Sequence, residues 1–109
     1  MKTQTKVNIK DSTWNIILTE NKEKLRLSGR FLAGVTCYKE QTIYIEKGLK
    51  INQLLRVLLH EITHVVIYTT QINPKENYNE EDLCELMAMY GGYIIGKTKE
   101  VIRNLVEDI

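Results

Sequence analysis

Two cysteines, Cys37 and Cys84, are too few and too far apart to brace a small secreted domain, and they form no CxxC pair. Both are expected to be buried, small apolar side chains with reduced thiols, which points to the cytoplasm. Charge of one sign is also missing. Fifteen Lys and Arg stand against fourteen Asp and Glu, a formal net charge of +1. A nucleic-acid surface normally carries a strong basic excess, so no nucleic-acid partner is expected. The stretch "NKEKLRLSGR" (21–30) interleaves its basic residues with apolar ones and a glutamate, as a solvated sheet edge does. No apolar run approaches the roughly eighteen residues of a membrane span. "MKTQTKVNIKDSTW" contains no signal-peptide core, and no membrane association is expected. There is no internal repeat, low-complexity tract or linker, so residues 1–109 are expected to form one domain with a modest core.

The first half of the chain alternates like strands. "KVNI" and "TWNIILT" are short, β-branched and bounded by polar clusters. "LRLSGRFLAGVTCY" is interrupted by Gly29 and Gly34, which mark bends or turns. "GVTCY" and "TIYIE" flank "KEQ" and predict an antiparallel hairpin, with Ile43 and Ile45 on one face and Tyr44 on the other. After Gly48 the period changes. Ile51, Leu54, Leu55, Leu58, Leu59, Ile62, Val65 and Val66 follow 3–4 spacing, predicting an amphipathic helix of about twenty residues. "TTQINPKENYN" is a loop around Asn73-Pro74, and Asn77 or Asn79 can cap a second helix. That helix is expected to bury a stripe of Leu83, Met87, Tyr90 and Ile94, with Leu86 beside it. It is also expected to bend or break at Gly91-Gly92 and Gly96, before a last helical stretch in "KTKEVIRNLVEDI". The fold class predicted is α+β, a small antiparallel sheet followed by two helices.

Histidine occurs only twice, and both copies lie in "HEITH", residues 60–64. Positions four apart on a helix differ by about 40° in direction and one turn in height, so two imidazoles can converge on one metal ion. Glu61 lies roughly 100° around from His60, too far to join that chelate easily but able to reach water beside it, as a general base must. The core face centres on Leu58 and Ile62, and the histidines occupy a different flank.

A catalytic zinc needs a third protein ligand. No histidine remains, and Ile67 and Thr70 stand where a metzincin needs glycine and histidine. The candidates are Glu80, Glu81, Asp82, Cys84 and Glu85. Acidic residues in a first helical turn also stabilise the helix dipole, which accounts for Glu80 to Asp82 better than for Glu85.

"LLHEITHVV…NEEDLCELMAMYGGYII" resembles the compact metallopeptidases of the ImmA/IrrE type, found on phages and mobile elements. The likeness covers roughly residues 34–96. Their second helix reads E-x-x-A-N-x-F-A. "EDLCELMA" (Glu81 to Ala88) agrees at both ends and departs at Cys84 and Glu85. Larger gluzincins carry E-x-x-x-D, a spacing that Glu81 and Glu85 share. The resemblance implies a zincin-like core with zinc held by His60, His64 and Glu81, and Glu85 as a partner for a ligand ring N–H or as the alternative ligand. It implies cleavage of a peptide bond in a regulatory protein such as a transcriptional repressor, with Glu61 as general base.

Two imidazoles and a carboxylate suit zinc best, although iron or manganese share that donor set. The sequence does not identify the oxyanion donor; Tyr68, one turn past His64, Tyr78, Tyr90 and Arg56 are the candidates, although tyrosines at helical spacing are more often core or boundary residues. The strand Thr42–Glu46 is a candidate for pairing with an extended substrate. Trp14 is expected in the core. The competing reading is a catalytically silent zinc domain that binds a partner, as an antirepressor or host-factor decoy.

Overall fold

The structure, a computed structural model, describes residues 1–70 and 79–106. β1 (Gln4–Ile9) and β2 (Ser12–Thr19) form an antiparallel hairpin in which Ile9 faces Ser12 and Gln4 faces Ile17. Their alternation buries Val7, Ile9, Trp14, Ile16 and Leu18 on one face and leaves Lys6 and Asn8 in solvent. A 3-10 turn (Lys22–Leu25) follows, capped by the Asn21 side chain, which accepts from the Glu23 N–H at 3.0 Å. The two-residue strands β3 (Arg26–Leu27) and β4 (Arg30–Phe31) pair across Ser28 (φ 53°) and Gly29 (φ 79°). Both turn residues are left-handed, as a primed two-residue hairpin requires.

β5 (Gly34–Cys37) and β6 (Thr42–Glu46) form the expected antiparallel hairpin. The sheet as a whole is mixed, however, with order β1-β2-β6-β5 and β6 parallel to β2. This corrects the all-antiparallel expectation. β2 does not turn back on a neighbour. The chain crosses to the outer position, descends as β5, and the β5–β6 hairpin fills the gap beside β2 in β2's own direction. Asn15 then lies opposite Thr42, and Thr19 opposite Glu46.

Helix α1 (Ile51–Thr70) packs over β5 and β6, and α2 (Glu80–Val106) packs beside it and over β1. Both helices cover the same sheet face. Leu58, Ile62, Val65 and Val66 of α1 meet Ile16, Ile43 and Ile45 of the sheet, and Ile94, Val101 and Leu105 of α2 close the core. Trp14 lies in this core as expected. The loop around Asn73-Pro74, the alternative cap Asn77, and Tyr78 fall outside the described residues. Asn79 is the cap seen. Its Oδ1 accepts from the Asp82 N–H at 2.9 Å, and Asp82 Oδ2 accepts from the Asn79 N–H at 3.1 Å. Among the described residues no helix is long and apolar enough to cross a membrane.

Helix α2 departs from expectation in three ways. Ile94 is buried and Tyr90 half-buried, but Leu83 and Met87 are 54% and 57% exposed, so the core stripe lies later, at Gly91, Ile94, Thr98, Val101 and Leu105. At 1.5 Å per residue this helix runs about 40 Å against about 30 Å for α1, and its first turns outrun the layer available to cover them. Cys84, on those turns, is exposed rather than buried, and Cys37 is half-buried; both are free thiols. Finally, the helix runs unbroken through its glycines. A Cβ at Gly92 or Gly96 would meet nothing within 4 Å. Gly92→Ala and Gly96→Ala should therefore each raise stability by about 0.5–1 kcal/mol through helix propensity, measured by urea unfolding. A loss of stability would mean that the helix bends there after all.

Candidate metal centre

Burial of Leu58 and Ile62 orients α1 on the sheet and so fixes where its other flanks point. The histidine flank points outward. His60 Nε2 and His64 Nε2 stand 3.2 Å apart, with ring centroids 4.9 Å apart and planes at 74°. Two nitrogens bound to a tetrahedral zinc at 2.0–2.1 Å lie about 3.3–3.4 Å from each other. The two rings therefore already hold nearly the separation of a chelating pair.

Glu61 is placed oppositely. The His60 side chain is 69% exposed, whereas that of Glu61 is 8% exposed, with Oε2 3.9 Å from His60 Nε2. Its other oxygen, Oε1, accepts from Thr36 Oγ1 at 2.8 Å. β5 comes close enough for this bond because Gly34, on the same strand face as Thr36, has no side chain. A Cβ there would lie 2.6 Å from Val57 Cγ1 and 3.1 Å from Glu61 Cγ. The carboxylate is thus sheltered, aimed by a strand, and set beside an open pair of imidazoles.

Tyr38, in the turn that follows β5, also lies within the field of Glu61. Its ring stacks on Tyr68 at 4.4 Å and meets Trp14 edge-on at 6.2 Å. Burial, then the charge of Glu61, then Tyr68 push the Tyr38 phenol above its ordinary value of 10.0, so it keeps its proton and stays a donor. Tyr68 therefore belongs to a pair beside Glu61, exposed to solvent. Tyr90 is engaged elsewhere, with Lys10 Nζ 5.0 Å from its ring centre at the β1–β2 turn. Sequence reasoning missed Thr36 and Tyr38. Their signal was the period of two counted from Gly34, which becomes usable only once the strand is known to run beside α1.

On the other side of the histidines, a cavity of about 430 Å³ separates α1 from α2, lined by His60, Thr63, His64, Met87, Gly91 and Ile95 among others. Glu81 and Glu85 are exposed and do not line it. Glu81 is about 15 Å along the axis from Gly91 and about 80° around from it. Among the described residues no three His, Cys, Asp or Glu side chains converge on one point. The structure thus brings together His60, His64 and Glu61, and it leaves Glu80, Glu81, Asp82, Cys84 and Glu85 apart from them.

β6 pairs on both sides, with β2 and with β5, so Thr42–Glu46 has no edge to offer a substrate. This corrects the expectation for that strand. β5 is the edge strand at the α1 side of the sheet, paired only with β6 among the described residues, and it carries Gly34 and Thr36. A second cavity, of about 440 Å³, opens beside β5 and reaches both His60 and Glu61. No family model, curated protein or solved structure matches the chain.

Proposed function

We propose that the chain is a zinc-dependent metallopeptidase of the compact ImmA/IrrE kind, acting in the cytoplasm on a peptide bond of a regulatory protein such as a transcriptional repressor. The observation that carries this reading is the imidazole pair, its nitrogens 3.2 Å apart, next to a buried and aimed glutamate. His60 and His64 would hold the ion. The family resemblance implies Glu81 as the third ligand, with Glu85 as the alternative ligand or a partner for a ligand ring N–H, although both stand apart from the imidazole pair in this structure. When bound, zinc supplies Lewis acidity, which polarises a carbonyl and acidifies water toward neutral pH.

The chain's own residues supply the rest. Glu61 takes a proton from the attacking water and passes it to the leaving amine. Thr36 holds the other carboxylate oxygen, so that Oε2 is the one turned toward His60. An extended peptide adding to the free edge of β5 would run past this base, its main chain held by strand hydrogen bonds. Tyr38, its phenol held protonated, and Tyr68 stacked on it offer hydroxyl donors to the developing oxyanion. A zincin-like core, in which a sheet edge borders the HExxH helix, accounts for this arrangement.

The second reading is a zinc domain that acts by binding. What favours it is the uncovered apolar face of α2 at Leu83 and Met87, one turn apart and each more than half exposed. Chelation tests the enzymatic reading. The purified protein should cleave an unstructured protein substrate, lose that activity when stripped with a chelator, and regain it with zinc. Cleavage that survives complete removal of metal would overturn it.

A further inference from the structure

Among the described residues, the wall of the cavity beside β5 carries one Lys or Arg side chain, Arg56. The cavity surface is otherwise apolar (Leu32, Leu49, Val57) or belongs to the site already described, apart from two polar side chains, Gln53 and Arg56. Both present donors. Gln53 Oε1 is already used by the Lys50 N–H at 3.0 Å, which leaves its amide hydrogens free to point elsewhere. Arg56 makes no ion pair among the described residues. It lies one turn before His60 on nearly the same flank, and about 7.5 Å along the axis from Glu61. A negative group at Arg56 would therefore sit within reach of the site without facing the carboxylate of the base.

Resting on the peptidase reading above, we propose that this cavity binds a carboxylate of the substrate close to the scissile bond, with Arg56 as its partner and Gln53 as a second donor. A guanidinium presents paired donors that fit a carboxylate edge, and the apolar wall takes the methylenes that carry it. The carboxylate can come from a glutamate or aspartate side chain or from the end of a peptide chain. The protein thus selects an acidic residue beside the bond it cuts, or cuts close to a free C-terminus.

The test uses short acetylated, amidated peptides of alanine and leucine carrying a single Glu, Gln or Lys, together with the Gln peptide bearing a free C-terminal carboxylate. Binding to the zinc-loaded protein is followed by fluorescence anisotropy, and cleavage by mass spectrometry. A charged hydrogen-bonded pair predicts about tenfold to a hundredfold tighter binding of the Glu peptide than of the Gln peptide. If the free-acid Gln peptide binds as tightly as the Glu peptide, the chain end is the source of the carboxylate. In Arg56→Gln the preference should disappear, and in Arg56→Glu the Lys peptide should bind best. Arg56 is exposed, so neither change disturbs the core. Equal binding of all four peptides by the native protein, or a preference unchanged in Arg56→Gln, would overturn the inference. Preferential binding without cleavage would instead overturn the peptidase reading and leave the carboxylate site standing.

Discussion

Glu61→Gln is expected to lower turnover by about two to four orders of magnitude, the usual contribution of a general base, while zinc content and fold are preserved. The side chain is nearly buried and accepts one hydrogen bond, from Thr36 Oγ1. A glutamine amide oxygen can accept that bond in the same place, so no buried donor is orphaned. What the amide cannot do is take a proton from water. Elemental analysis and thermal unfolding should match the native protein while kcat collapses. Undiminished kcat would remove Glu61 from the mechanism. A biological effect that persists without turnover would favour the binding reading, and the exposed pair Leu83 and Met87, one turn apart on α2, would then become the surface to mutate.

Gly34→Ala should meet the severest clash of the chain's glycine-to-alanine changes. A Cβ at that position would sit 2.6 Å from Val57 Cγ1 and 3.3 Å from Glu61 Oε2. Real Cβ atoms do not approach neighbours so closely, so β5 and α1 must separate. Overpacking of this kind costs about 1–3 kcal/mol, read as a lower urea midpoint at unchanged slope. The same movement draws Thr36 away from Glu61, so kcat should fall along with stability. Gly29→Ala is the control. Its Cβ would meet nothing within 4 Å, and the cost there is only that of a left-handed alanine, with no effect on turnover. If Gly34→Ala were as stable and as active as the native protein, the close approach of strand and helix would be wrong.

Local periodicity reveals individual elements better than it reveals their neighbours. Ile43 and Ile45 alternate with Tyr44 in the sequence and do so in β6; Leu58 and Ile62 mark the buried face of α1 in both. The pairing of the chain's two histidines at residues 60 and 64 is legible from spacing alone. The parallel pairing of β2 with β6 has no such signal, because it joins Asn15 to Thr42 across a long excursion and depends on where the chain crosses. Thr36 and Tyr38 became visible only with that pairing, since their role follows from the edge strand lying against α1. In α2, the spacing of Leu83, Met87, Tyr90 and Ile94 correctly describes one helical stripe, but spacing does not say how far the covering layer extends. The glycines misled for a related reason. Gly92 and Gly96 weaken a helix without breaking it when Ile94, Val101 and Leu105 anchor it on the core.

The proposed peptidase depends on His60 and His64 together holding a divalent ion. Calorimetric titration of the metal-free protein with zinc tests it most directly. One site per chain is expected in the native protein, with Glu61→Gln binding equally well and with His60→Ala and His64→Ala each losing the site. Zinc bound with undiminished affinity after removal of either imidazole, or no binding by the native chain, would contradict the account.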